Sequence, residues 1–521
     1  MNKNCVIAID YGTQSVRVSI INTDGEFLAF EQEKYSNPYF SVKPGYCEQD
    51  PNYYYENMCR ASKRLVKNNP SLLKHVRAIS ATSLRDSPVF LGENKEILRP
   101  AIVWLDQRQA KLERKLPPFY QCAFNLVGMR DTIIFNRKRT PALWVQENEP
   151  ELWAKVKHYV PLNSYLNYRL TGVLGDSASN MTGHFPINFK KNTWYNKNSL
   201  KGCIFGVEPE LMPQIFFAGE TLGKISKVAA KETSFPEGLE FIATGSDKSC
   251  EVLGCGSIEK NSAQISYGTS CTISLFGDKY FEPEHFLPSY PSCVKGYYNS
   301  EIQVYRGYWM LTWFSKEFAS EEMSAAYIEQ IAPEEILNKK LLEIPPGSNG
   351  LVLQPYWGPS LSKPLAKGSI IGFYDIHTKI HIYRAIIEGI AYELKDGLNN
   401  LSKRGRRKID KLIISGGGSK SDAICQITAD IFNLPVFKPA TYEASSLGCA
   451  MSTFIALGDF KDVEEAKEKI VHYKKIFTPN KENVEKYKIL FSKVYSKIYP
   501  SLNKVYATLS KYLEDNNETE L

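Results

Sequence analysis

Apolar and polar positions over the first 35 residues alternate in a way that specifies strands. Residues 6–10 are an apolar run closing on Asp10, residues 16–22 alternate with period two, and Thr23-Asp24-Gly25 turns the chain into a third strand over 27–35. The device returns in the middle of the chain. Residues 242–275 carry a short apolar run, a glycine, Asp247, and then a strand-turn-strand whose turn is Tyr267-Gly268-Thr269-Ser270, matching Tyr11-Gly12-Thr13 near the start. Two copies of one hairpin predict a chain built as two similar halves facing one cleft.

The pattern between and beyond the copies fills in both halves. Helical spacing covers 51–68, strands are expected over 76–83 and 88–91, and 112–170 reads as mostly helical. Residues 176–183, DSASNMTG, form a polar loop of small residues, 184–235 read as helices and turns, and 241–244 is a strand delivering Asp247. Asp247 is a candidate N-cap for a helix over 248–253. Residues 307–314 open an aromatic helix, 351–354 is a strand after a Pro-Gly turn, and 379–398 is a helix through Ile382, Ile386, Ile390 and Leu394. A strand over 411–414 runs into Gly416-Gly417-Gly418 and a helix from Ala423; Glu443 to Ala450 is a second small-residue helix start expected to pack beside it. The tail over 481–512 is amphipathic, a packing or oligomer element.

Composition narrows the class without changing this outline. A length of 521 residues exceeds one hydrophobic core and suits two domains, and 43% hydrophobic with 23% charged residues is ordinary globular usage. A net charge of +7, from 64 basic against 57 acidic residues, is a small excess that gives no reason to expect nucleic acid, and the basic cluster over 403–408 reads as a solvated loop. Eleven cysteines without CxxC spacing read as reduced core residues of a reducing compartment. His377 and His381 are poor metal ligands at the start of a helix. No secretory h-region and no apolar run of the roughly 20 residues needed to span a bilayer is visible, so a cytoplasmic protein without membrane contact is expected.

Chemistry concentrates at the strand ends. The amides and hydroxyls of Gly12-Thr13-Gln14-Ser15 suit phosphate oxygens and Asp10 suits a magnesium ion, although the P-loop pattern is absent. A hairpin with a polar turn is the plain alternative, and the repeat weighs against it. Arg85 and Asp86 at a strand break can bind vicinal hydroxyls, donating and accepting respectively; a surface ion pair is the other reading. Trp104 offers an aromatic face to a sugar or polyol, with Asp106 and Arg108 beside it. Asp247 can accept a hydroxyl proton as a phosphoryl group moves. Glycines at the 415–418 junction let a nucleotide approach a helix N-terminus.

Taken together, Asp10-Tyr-Gly-Thr-Gln-Ser15, the PGYCEQDP loop, Arg85-Asp86, Trp104-Leu-Asp106-Gln-Arg108, Gly245-Ser-Asp247, Tyr267-Gly-Thr269-Ser270, Gly416-Gly417-Gly418, and Gly368 to Gly372 with His381 to Glu388 resemble the FGGY family of carbohydrate kinases, in the actin-like ATPase superfamily. The resemblance implies an α/β fold of two actin-like (ribonuclease H-like) domains, 1–250 and 251–521, around a central ATP and substrate cleft. It implies ATP and Mg2+ as cofactors, Asp247 as base, Asp10 at the metal, and Gly12, Thr13, Gln14, Ser15, Gly268 and Thr269 on phosphates. Gly417, Gly418 and Asp422 would lie near the adenosine, and Arg85, Asp86, Trp104 and Asp106 would hold a small sugar or polyol. Neither nucleic acid nor membrane is expected, and a homodimer is a candidate assembly. Pro141 stands where the family usually has a lysine before its tryptophan, Phe373 replaces an aliphatic residue, and Asp86 is one methylene shorter than glutamate; these departures bear on the substrate. Arg85-Asp86 leans toward glycerol or a tetritol, with a xylulose-type or linear signalling-diketone kinase open. An actin-like nucleotide-dependent sensor or scaffold is the other class, and the presence of Asp10, Asp247 and both turns weighs against it.

Overall fold

The computed structural model describes residues 4–113, 115–358, 360 and 362–516. Its first sheet contains β1 (Cys5–Tyr11), β2 (Ser15–Asn22), β3 (Phe27–Lys34), β4 (Val76–Ser83), β5 (Thr221–Lys224) and β6 (Glu240–Ile242), in the order β5-β6-β4-β1-β2-β3. The second holds β7 (Ser262–Tyr267), β8 (Cys271–Gly277), β9 (Tyr290–Pro291), β10 (Tyr298–Val304), β11 (Lys411–Ser415), β12 (Val436–Pro439) and β13 (Tyr473–Phe477), in the order β9-β10-β8-β7-β11-β12-β13. The two sheets share one topology. An antiparallel meander, β1-β2-β3 or β7-β8-β10, meets two parallel strands, β4 and β6 or β11 and β12, and an antiparallel strand closes the far side. The repeated hairpin therefore marks a repeated domain.

Burial explains why β1 lacks polar alternation. Its odd positions, Cys5, Ile7, Ile9 and Tyr11, pack with Tyr54 and Met58 of α1 (Pro51–Asn68), while Val6 and Ala8 face a second core. A strand covered on both faces reads as a continuous apolar run. In β7 the alternation is real although every position is buried. Ala263, Ile265 and Tyr267 enter the core with α3 (Lys379–Gly405), whereas Gln264 and Ser266 face polar partners, Gln264 donating to Ser415 at 2.6 Å and Ser266 to Glu251 at 2.9 Å.

Two helices occupy the space between the halves. They are α2 (Asp247–Gly254) and, after α4 (Asp422–Phe432) in the chain, α5 (Ala444–Ala456). A β-carbon on Gly254 would overlap the Ala444 carbonyl, and one on Gly448 would overlap the Cys250 carbonyl, so the two backbones touch. Although α5 belongs to the second half of the chain, its Cys449 and Ala450 share a core with Val6 and Ala8 of β1, and Thr453 donates to Ser80 of β4 at 2.7 Å. The expected neighbour of the Glu443–Ala450 helix start was the glycine-run helix α4; the observed one is α2, because its glycines match those of α2.

Other departures have local causes. Ser246, not Asp247, caps α2: its side chain accepts from the Ser249 amide, leaving Asp247 as the first helical residue with its carboxylate free of capping. Residues 184–235 hold a single α-helix, Lys227–Thr233, among short strands and turns, and β5 completes the first sheet there. Within 112–170, strand His158–Pro161 interrupts the helices by pairing with Pro88–Leu91. The 250/251 boundary falls inside α2. The tail is helical as expected and mainly a packing element, since Tyr487, Tyr495 and Ile498 join the core of the second half. All eleven cysteines are free thiols, and eight are buried.

Candidate active site

Parallel strands deliver the site at their carboxyl ends, where open α/β sheets present ligand-binding loops. Strand β1 ends at the Gly12–Ser15 turn, β4 leads into Arg85 and Asp86, and β6 leads into Asp247; β7 ends at the facing Gly268–Ser270 turn. All of them line one cavity of about 540 Å³ between the halves, together with Trp104 and Asp106. The turns are tight. A β-carbon on Gly12 would stand 3.2 Å from the Ser15 carbonyl oxygen, and one on Gly268 3.3 Å from that of Ser270.

Asp247 keeps 27% of its side-chain surface open to this space. Burial in the cleft pushes its carboxyl up to about 6, the Lys248 and Arg85 cations pull it down, and the like charges of Asp10 and Glu251 add to the rise. Asp10 lies just under the first turn, 4% exposed. Burial raises its carboxyl above the ordinary range against the pull of Arg17, whose Nη1 donates to Oδ2 at 3.1 Å, while Glu443 and Glu251 push the same way as burial. Arg17 also reaches Glu443 with Nε at 3.0 Å. Lys248 ties α2 to β7: its Nζ donates to Glu251 at 2.9 Å and to Ser266 at 2.7 Å.

Arg85 and Asp86 do not pair with each other. Arg85 donates through Nη2 to Glu301 at 2.7 Å, holds Nε 4.0 Å from Asp247 Oδ1, and lies 5.4 Å from the centre of the Tyr290 ring. Asp86 adopts a left-handed backbone with φ of 53° and accepts from the His184 amide at 2.8 Å and from His184 Nδ1 at 2.8 Å. Burial works to raise Asp86, but the His184 bonds and charge outweigh it and hold the carboxyl below its ordinary range. Gly183 makes room, since a β-carbon there would overlap the Asp86 carboxylate. Trp104 donates its indole N–H to Thr13 Oγ1 at 3.1 Å, tying the aromatic face to the first turn. Asp106 lines the cavity, but its oxygens already accept from the Cys47 amide at 2.6 Å and from Arg108 Nε and Nη2 at 2.8 Å each.

The glycine run is a separate wall. Gly417, Gly418 and Asp422 lie at the end of β11 and do not line the 540 Å³ cavity. Gly416 has φ of 77° and presses on the Tyr267 backbone, and a β-carbon on Gly418 would overlap the Tyr308 ring, which stacks on Tyr267 at 4.8 Å. In front of Gly417 the space is open. Asp422 accepts from Lys438 Nζ at 3.0 Å and Lys475 Nζ at 2.7 Å, and the cap of α4 is Ser421.

Several site residues escaped the sequence reading: Arg17, Lys248, Glu251, His184, Glu301 and Tyr290. Two carried a usable signal. Arg17 is a charge between Val16 and Val18 in a strand otherwise buried on that side, and Glu251 stands one helical turn after Asp247. Among the described residues no group of three His, Cys, Asp or Glu side chains is placed to hold a metal. His381 is occupied as part of a helix cap, its Nδ1 at 3.1 Å from the Thr378 amide and its Nε2 at 3.1 Å from Asn349. No helix among those residues is long and apolar enough to cross a membrane.

Comparison with known proteins bears on the family and the fold. The model for the N-terminal domain of the FGGY family of carbohydrate kinases matches residues 5–254, and that for its C-terminal domain matches residues 263–457. A xylulose kinase of Bacillus subtilis is 28% identical over 503 residues, covering 95% of this chain and 96% of the relative. A gluconokinase of the same organism is 25% identical over 499 residues, covering 93% and 94%. Among solved structures, a gluconate kinase from Lactobacillus acidophilus shares the fold with a TM-score of 0.80 at 23% identity, covering 97% of this chain and 100% of that one.

Proposed function

The chain belongs to the FGGY family of carbohydrate kinases and is an ATP-dependent sugar or polyol kinase, and we propose that Asp247 is its general base, acting on a terminal hydroxyl of an open-chain polyhydroxylated substrate of the xylulose or gluconate kind. The observation that supports this most is a single one: Asp247, Arg85 and both hydroxyl-bearing turns share one cavity. A carboxyl near 6 is mostly ionised at neutral pH yet basic enough to take a proton from the attacking hydroxyl. Arg85, fixed from behind by Glu301, orients Asp247, while Asp86 with His184 and the face of Trp104 hold the carbon chain. The lean toward glycerol or a tetritol had Arg85 and Asp86 both reaching vicinal hydroxyls; both line the cavity, but Glu301 already engages Arg85 and His184 engages Asp86, and the longer chain is favoured here.

The Gly12 amide closes the first turn by donating to the Ser15 carbonyl, and the remaining amides of that turn with those of Gly268 and Thr269 cradle the triphosphate, where phosphoryl transfer needs positioning and charge handling more than covalent help. Gly417, Gly418 and Asp422 border the nucleoside side. The residues present fit a magnesium ion held largely by phosphates: one buried carboxylate, Asp10, just ahead of the first turn, with both turns lining the cavity, is what such a site asks of the protein, and Mg2+ there would neutralise charge on the phosphates. A cytoplasmic setting is supported by eleven free thiols. Exposed Val505, Leu509 and Tyr512 on the tail keep a homodimer within the proposal, checked by light scattering. The decisive experiment measures ADP release from ATP with polyols, ketoses and sugar acids as acceptors. Phosphorylation of a linear five- or six-carbon compound, slowed about 10²- to 10⁴-fold in Asp247→Asn, is expected; an Asp247→Asn variant of near-normal rate removes Asp247 from the role of base.

A further inference from the structure

One feature of the cavity is used by none of the roles above. Arg139, which follows helix Arg130–Lys138 in the first half, lines the cavity and lays its guanidinium 5.5 Å from the Phe135 ring and 5.9 Å from the ring of Tyr305 in the second half. Among the described residues no carboxylate lies within ion-pair distance of it. Its acidic neighbour Asp86 is already engaged by His184. Just behind stands a second guanidinium, Arg306, 9% exposed, which also has no carboxylate partner there; it donates to the Leu105 carbonyl at 3.2 Å and lies 5.0 Å from the Trp309 ring. Burial and the Arg139 charge both disfavour the charged form of Arg306. Two cations in mutual repulsion beside a cavity, in a chain that pairs most of its buried arginines, call for an anion from outside.

We propose that Arg139, backed by Arg306, is the subsite for a carboxylate carried by the substrate at the end remote from the reacting hydroxyl, so that the preferred acceptor is an aldonate rather than a neutral ketose or polyol. With its guanidinium carbon near two aromatic rings and no carboxylate partner, Arg139 can offer its N–H groups for two parallel bonds to a planar carboxylate. Position supports the remote end: Arg85 stands 4.0 Å from Asp247, Asp86 follows Arg85 in the cavity wall, and Arg139 lies over Tyr305 with its charge felt by Asp86, so a chain running from Asp247 past Arg85 and Asp86 comes next to Arg139. The triphosphate is provided for at the two turns.

This assignment rests on the kinase reading, and the test separates the two. Matched acceptors, gluconate against glucitol and xylonate against xylitol and xylulose, are compared by kcat/KM in the full-length protein and in Arg139→Met and Arg139→Lys. The best acid is expected to exceed its neutral partner roughly tenfold or more. Arg139→Met should lower the acid-to-neutral ratio about 10- to 100-fold through KM for the acid, with KM for ATP unchanged, and Arg139→Lys should restore only part of it. A neutral acceptor that outperforms every acid, a sugar phosphate preferred to the aldonates, or an Arg139→Met loss shared equally by acid and neutral overturns the assignment. If no acceptor is phosphorylated, the kinase reading fails, but calorimetric titration of gluconate into the ADP-loaded protein still decides the subsite. Binding at least tenfold weaker in Arg139→Met upholds it, and equal or absent binding ends it.

Discussion

Replacing Asp247 with asparagine keeps the volume and the local bond to the Lys248 amide but removes one charge from the floor of the cleft. Two effects of opposite sign follow. Turnover should fall by about 10² to 10⁴, the range that one positioned general base contributes, with ATP binding retained. Stability should rise. The carboxyl stands at about 6 against an ordinary 3.8, so the fold disfavours its ionised form. Between those values the folded state binds more protons than the unfolded one, and stability falls as pH rises through the window. The penalty is complete above about pH 6 and absent below about 3.8. At roughly 1.4 kcal/mol per unit, the two-unit rise corresponds to at most about 3 kcal/mol at pH 7, a gain of several degrees in thermal midpoint for the asparagine variant. The assay pairs steady-state kinetics with thermal unfolding at pH 7.5 and pH 4. In the wild type, kcat/KM should drop about tenfold per pH unit below 6. A variant that is inactive yet no more stable at pH 7.5 than the wild type, with an offset that does not shrink toward pH 4, would refute the electrostatic account of this carboxylate.

Lys248 is the chief cation lowering the Asp247 pKa, so Lys248→Met should move the acidic limb of the kcat/KM profile up by roughly one pH unit, an unmoved limb showing that the ammonium serves only Glu251 and Ser266. Asp10→Asn should raise the magnesium concentration required for half-maximal rate about tenfold or more at unchanged acceptor KM, read from Mg2+ titrations. Gly448→Ala drives a methyl group into the Cys250 carbonyl and should cost about 2–3 kcal/mol in denaturant unfolding, whereas Gly458→Ala, with nothing within 4 Å of the added carbon, meets no such contact and is strained only by its φ of 76°. Gly183→Ala strains a backbone at φ of 115° and displaces the Asp86 carboxylate, so KM for the acceptor should rise roughly tenfold with little change in KM for ATP.

What the sequence decided alone is the part written in local periodicity. The strands β1, β2 and β4, the full extent of α1 and the twin hairpins were legible because alternation, turn residues and a helix start at Asp50-Pro51 act over a few neighbours. The repeat of the hairpin even carried the two-domain plan, since the same local pattern led to the same strand order twice. Tertiary structure decided the partners. That Arg85 is held by Glu301, Asp86 by His184 and Arg17 by Glu443 depends on charges brought together from far along the chain, where burial makes an unpaired group costly, whereas the Arg17–Asp10 and Arg108–Asp106 bonds join residues close in sequence. The short strands of 184–235 and the seating of α5 on α2 were hidden for the same reason: the contacts that stabilise them are made with residues no local pattern can point to.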